Sequence, residues 1–222
     1  MPTLLYLHGL ASSPKGRKRA ILDTRFADEG FRVVAPDLNA PSFAKLDFAA
    51  IVARAAEAAR EAEPDVIIGS SLGALVALSL AKSAAGPKTP LVLVAPALAF
   101  GERWASKLPE GDPLPLFHHG EGRELPIHRQ FFLGMADVSV DDDPPPVPVS
   151  VVMGTNDESV PFAQVEATWQ RWEASGKLAP GSRFHAIAGG DHGLTECGAE
   201  IEAAVRERLA GGSPRPLHHE EA

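Results

Sequence analysis

The stretch Asp65-Val66-Ile67-Ile68-Gly69-Ser70-Ser71-Leu72-Gly73-Ala74-Leu75-Val76-Ala77-Leu78 changes its periodicity at its centre. Val66-Ile67-Ile68 is β-branched and bounded by Pro64 and Gly69, as a buried parallel strand is, whereas Leu72 to Leu80 has the Ala and Leu density of a helix. The Gly-x-Ser-x-Gly spacing between them is that of a nucleophile elbow, a sharp strand-to-helix turn that lifts a serine hydroxyl clear of the backbone. Strand and helix then pass too close for a Cβ two residues before and two after the serine, and Gly69 and Gly73 meet that need around Ser71. Ser70 lacks such flanks, so Ser71 is the candidate nucleophile. The competing reading is a tight glycine turn in an α/β protein without chemistry, and the rest of the chain decides between them.

Working outward toward the N-terminus, Asp47 is a good N-cap for a helix to about Ala62, with Phe48, Ile51, Val52, Ala55 and Ala59 on one face. Phe31 to Ala35 reads as a strand, and Lys15 to Glu29 as a helix stopped by Gly30. Thr3 to Leu7 is a buried strand running into His8-Gly9-Leu10. Toward the C-terminus, Leu91 to Ala95 and Val147 to Met153 read as strands, Pro161 to Trp172 as a helix with proline in its first turn, Phe184 to Ile187 as the last strand and Ala199 to Leu209 as a closing helix. About six strands alternating with helices predict a mostly parallel sheet with helices on both faces, with its site at the carboxyl ends of the strands. From Ala97 to Pro146 the period is lost, Pro and Gly recur, and aromatic residues alternate with charges. That stretch is expected to be a cap insertion within one domain over residues 1–210, since it is too interrupted to own a core. Residues 211–222 read as a polar tail.

Each further strand end carries polar residues that acyl-transfer chemistry uses. Gly154-Thr155-Asn156-Asp157-Glu158 follows the fifth strand and Gly189-Gly190-Asp191-His192-Gly193 the sixth. A serine needs an imidazole to take its proton and return it to the leaving group, and the imidazole needs an acid to hold its tautomer. Ser71, Asp157 and His192 occur in the Ser, Asp, His order that a hydrolase fold requires. Glu158 is the rival acid. Asp191 cannot easily reach the ring of its own neighbour and is expected to cap its loop. Backbone N–H groups of Leu10 and Leu72 are the expected oxyanion donors, with His8 shaping the loop rather than transferring protons.

Two features outside the triad bear on substrate. Trp104, Phe117, Phe131 and Phe132 in the insertion either line an acyl pocket over Ser71 or pack the insertion onto the sheet. Lys15, Arg17, Lys18 and Arg19 follow the first strand's loop, where positive charge at a helix N-terminus is unfavourable. They either attract an anionic substrate, such as the phosphates of an acyl-coenzyme A, or form a solvated basic face.

The 222 residues carry 21 Lys and Arg against 29 Asp and Glu, a net charge of −8 that argues against nucleic acid and anionic membranes as general partners. No apolar run approaches the roughly 18 residues of a membrane span. The single Cys197 excludes an internal disulfide, and no basic-then-apolar leader precedes Thr3, so a reducing cytoplasm is the expected location. His118-His119 and His218-His219 lack metal-site spacing, and Asp141-Asp142-Asp143 before three prolines reads as a solvated lead into the fifth strand rather than a calcium site. No metal or cofactor is expected.

Leu4 to Pro14, Ile68-Gly69-Ser70-Ser71-Leu72-Gly73 and Gly190-Asp191-His192 resemble the small bacterial α/β-hydrolases of the YqiA/YcfP esterase type over nearly all of the chain outside the insertion. Ala74 stands where many relatives have a second glycine. The resemblance implies a carboxylester or thioester hydrolase with Ser71, Asp157 and His192 at the triad positions and Leu10 and Leu72 at the oxyanion positions. The expected activity is hydrolysis of a small-molecule ester or thioester through a Ser71 acyl-enzyme. The rivals are transfer to another acceptor or cleavage of an amide or carbon–carbon bond on the same triad, and a catalytically silent binding protein of the same fold.

Overall fold

The computed structural model describes residues 1–26, 29–105, 108–136, 138 and 143–211. The readings that fall on Asp141 and Asp142, and on the tail beyond Gly211 with His218 and His219, lie outside them. The chain runs β1 (Thr3–Leu7), α1 (Arg17–Phe26), β2 (Arg32–Val34), α2 (Phe48–Ala62), β3 (Val66–Ser70), α3 (Leu72–Lys82) and β4 (Leu91–Val94). It continues with α4 (Phe100–Ala105), β5 (Leu114–His118), β6 (Arg123–Ile127), α5 (Arg129–Gly134), β7 (Val149–Gly154), α6 (Phe162–Ala174), β8 (Arg183–Ile187) and α7 (Gly198–Gly211).

Six strands form one sheet in the order β2-β1-β3-β4-β7-β8, every pairing parallel. Every residue of β1, β3, β4 and β7 is buried, which is why these strands read as continuous apolar runs rather than alternating ones. The edge strands β2 and β8 are partly exposed. α2 and α3 pack together against β1, while α1 packs on α7, which lies across β3, β4 and β7. α3 is buried almost all round, as its unbroken Leu, Val and Ala composition requires. α2 begins where Asp47 accepts a hydrogen bond from the Ala50 N–H (2.8 Å) and ends at Glu63 in the left-handed region (φ 44°).

The chain leaves β1 toward β2 on one side and returns to β3 on the other. The loops after β1 and β3 therefore part at a topological switch point and leave a crevice at the carboxyl ends of the strands.

The insertion between β4 and β7 contains more regular structure than its sequence suggests: two short helices flank an antiparallel hairpin paired from Leu114↔Ile127 to His118↔Arg123. Pro115 and Pro126 stand opposite each other, a position in a two-stranded ribbon whose N–H groups would point outward unpaired, so neither proline costs a ladder bond. Aromatic residues of the insertion pack onto the sheet's core. Phe100, Phe131 and Phe132 join the same apolar cluster as the sheet, with ring centroids 6.0 Å apart for Phe100–Phe131 and 4.8 Å for Trp104–Phe132.

Candidate active site

β3 delivers Ser71 into a turn with φ 53° and ψ −115°, a costly conformation for a residue with a Cβ. Hydrogen bonds fix it there: the Ser71 N–H donates to the Val94 carbonyl (3.0 Å), and the Ser71 carbonyl accepts from Ala74 (3.0 Å) and Ala97 (3.3 Å). A Cβ on Gly69 would lie 2.5 Å from the Gly73 carbonyl oxygen and 2.6 Å from Ala74 Cα, so that glycine is required by the strand-to-helix approach, as expected. The constraint on Gly73 differs from the expected one. Its Cβ would lie 2.1 Å from the Leu7 carbonyl oxygen, so the obstacle is the end of β1 and not the elbow's own strand. Gly73→Ala should cost about 1–3 kcal/mol or more by overpacking against backbone that cannot rotate away. Thermal melts should then show a drop of several degrees, with Gly134→Ala, where no atom lies within 4 Å, as the unaffected control.

The loops after β7 and β8 meet backbone to backbone. A Cβ on Gly154 would sit 2.2 Å from the Gly190 carbonyl oxygen, and the Asn156 N–H donates to that same carbonyl (3.0 Å). This contact puts Asp157 Oδ2 2.8 Å from His192 Nδ1. Asp157 Oδ1 accepts from the N–H groups of Ser159 (2.8 Å) and Val160 (2.7 Å), and its side chain is 0% exposed against 29% for His192. A carboxylate can only accept, so the imidazole carries its proton on Nδ1 and turns the Nε2 lone pair outward. Glu158 lines the cavity, and the carboxylate bonded to His192 Nδ1 is that of Asp157. Asp191 caps its loop as expected, accepting from the Leu194 N–H (2.8 Å), and Leu194 is held at φ 47°.

His8 is buried between two loops. The Leu38 N–H donates to its Nε2 (2.9 Å), so the proton resides on Nδ1, which donates to the Gly9 carbonyl (2.9 Å). The imidazole thus ties the loop after β1 to the loop after β2, with Asp37 Oδ1 3.5 Å from its Nε2. Gly9 packs against the elbow, where a Cβ would lie 3.1 Å from Ser71 Cβ. Leu10 follows on the cavity wall, and Leu72 is buried at the start of α3. Among the described residues neither amide donates to a backbone carbonyl. Ser70 is buried, as is Tyr6, whose pKa burial raises.

These groups face a cavity of about 670 Å³, a size that holds a small molecule. Ser71 and His192 both line it, without a direct hydrogen bond between them among the described residues; such contacts often tighten only around a substrate. Of the four insertion aromatics, Trp104 and Phe117 line the cavity. Phe131 and Phe132 do not; they are buried against Phe100 and Trp104, the packing alternative. Phe100 and Leu116 line it instead, the latter from the unforeseen hairpin.

The basic cluster divides. Arg19 Nε pairs with Asp23 (2.8 Å), and Lys15 is exposed away from the cavity wall, whereas Arg17 and Lys18 line it. Lys18 Nζ donates to the His192 carbonyl (3.1 Å), a role that only its place in the cluster hinted at. His118 and His119 point apart, one ring edge-on to Phe43 and the other to Phe117. Among the described residues no group of three His, Cys, Asp or Glu could hold a metal ion, and no helix is long and apolar enough to cross a membrane.

The fold recurs in solved structures. Est1E from Butyrivibrio proteoclasticus with ferulic acid bound is 18% identical, covering 95% of this chain and 90% of that one, with a TM-score of 0.73. The mouse alpha/beta hydrolase domain-containing protein 10 is 17% identical over 93% of this chain and 90% of that one, at a TM-score of 0.68. The esterase domain of a Rhodothermus marinus protein is 16% identical over 93% and 86%, at 0.65. Comparison with curated proteins returns no match. A family model, described as an uncharacterised protein family (UPF0227), matches residues 3–205. The elbow, the loop after β1 and the Gly190-Asp191-His192 turn all lie inside that match, and the chain belongs to UPF0227, the YqiA/YcfP-type family that those motifs resemble.

Proposed function

We propose that the protein is a serine hydrolase that cleaves a carboxylic ester or thioester through a Ser71 acyl-enzyme. The observation that carries this reading is the 2.8 Å bond between His192 Nδ1 and the buried Asp157 carboxylate, in the wall of the cavity where Ser71 sits on its strained turn. In this reading His192 Nε2 takes the Ser71 proton as the hydroxyl attacks the acyl carbon. The amides of Leu10 and Leu72 receive the negative charge of the tetrahedral intermediate, and losing such a donor typically costs about 10²–10³ in turnover. His192 then protonates the departing alcohol or thiol, and the same imidazole activates the water that releases the acid. The steps need no cofactor. The half-buried free thiol of Cys197 fits a reducing cytoplasm.

A panel of p-nitrophenyl esters and acyl thioesters of graded chain length tests the activity. Turnover of at least one series is expected, and none on either would argue for a silent binding protein. The same panel reads the insertion. Phe117 is 48% exposed at the cavity, so Phe117→Ala should alter chain-length preference with little change in Tm. Phe132 is 1% exposed, so Phe132→Ala should cost about 3–5 kcal/mol of stability with preference retained in the folded fraction.

A further inference from the structure

We propose that Lys18 is a positioning residue for His192: by donating to the His192 carbonyl it holds the base's loop in place and keeps a positive charge beside the Asp157–His192 pair. The inference rests on the triad reading above. His192 sits among Gly189, Gly190 and Gly193, a composition with little intrinsic stiffness, so its loop depends on external ties. The ties on either side are Asn156 N–H to the Gly190 carbonyl (3.0 Å) and Leu194 N–H to Asp191 Oδ1 (2.8 Å). At His192 the ring is held by Asp157 (2.8 Å) and the backbone carbonyl by Lys18 Nζ, at 3.1 Å.

A half-buried ammonium in the first turn of α1 is costly twice over, by desolvation and by the helix dipole, and an apolar side chain could fill the same place. What the ammonium adds is charge. Around it stand Asp157 and Glu158 from the loop after β7, Asp191 and His192 from the loop after β8, and Arg17 on its own helix; His119 lines the same cavity from the hairpin end. Burial lowers the Lys18 pKa to about 8, with Asp157 and Asp191 opposing and Arg17 assisting that shift. The ammonium is therefore intact at neutral pH and lost as pH rises through about 8. While present it disfavours positive charge on the neighbouring imidazole, opposing part of the pull of Asp157.

The test compares wild type, Lys18→Met and Lys18→Arg by kinetics on an uncharged p-nitrophenyl ester and by NMR titration of the His192 ring. In Lys18→Met, kcat at pH 7 should fall about tenfold with KM within about twofold, because positioning is lost and substrate binding is not. The His192 midpoint should rise, because a positive charge beside the Asp157–His192 pair is removed. Lys18→Arg should recover most of kcat and keep the wild-type midpoint, and should lack the fall in rate that the wild type is expected to show as the Lys18 ammonium is lost through about pH 8. Tm at pH 7 should not drop in Lys18→Met. A lysine whose folded pKa lies below its unfolded value costs stability while charged, and that cost is relieved only between about pH 8 and the ordinary lysine range. An unshifted His192 midpoint in Lys18→Met would overturn the proposal, as would a rate loss that merely follows a loss of Tm, or an effect confined to KM for anionic esters. The titration needs no turnover, so a wild type inactive on every ester would count against the hydrolase reading while the His192 midpoint still judged Lys18.

Discussion

Ser71→Ala is expected to lower ester hydrolysis by about 10⁴–10⁶ while leaving the fold intact. The strain at Ser71 lies in its backbone, which the substitution keeps, and its three backbone hydrogen bonds to Val94, Ala74 and Ala97 involve no side-chain atom. The neighbouring Ser70→Ala should behave differently. Ser70 is buried at the end of β3, and the proposed chemistry does not use its hydroxyl, so its loss should cost about 1 kcal/mol of stability rather than activity. Initial rates and thermal melts on both variants separate the two serines.

Asp157→Asn should cut turnover by about 10⁴. The argument is geometric. Oδ1 of residue 157 accepts from the Ser159 and Val160 amides, so an asparagine keeps its oxygen there and turns its NH₂ toward His192. Two donors cannot face each other across 2.8 Å, so the imidazole gives up the proton on Nδ1 and carries it on Nε2. A ring protonated on Nε2 cannot accept from Ser71. Glu158→Gln leaves the Asp157 bond to Nδ1 in place and should stay within about threefold of wild type. Steady-state rates decide the matter, since a severe Glu158→Gln and a mild Asp157→Asn would mean that the other carboxylate is the acid.

Much of this arrangement was legible from residue patterns because the physics acting on each element is local. Parallel strands buried on both faces must be apolar throughout, so β1, β3, β4 and β7 announced themselves, and the small residues around Ser71 reported how close strand and helix pass. What the pattern could not convey was which backbone crowds a given glycine: Gly73 answers to Leu7 in a neighbouring strand, far away in sequence. The hairpin of the insertion was hidden by Pro115 and Pro126, which argue against a strand until they are seen to face each other at outward positions. Aromatic residues in an irregular stretch carry no periodicity to say which way they point, so Phe117, at the cavity, and Phe132, in the core, looked alike. Lys18 was obscured by its company. In a run of four cations each reads as part of a solvated face, and only the fold separates the one that reaches His192 from Arg19, which its own helix neutralises.

The central claim is that Ser71 is the nucleophile, and active-site labelling with a fluorophosphonate, mapped by peptide mass spectrometry, tests it most directly. The account predicts a single adduct on Ser71 in the wild type and none in Ser71→Ala. An adduct on Ser70, or labelling that survives Ser71→Ala, would contradict it.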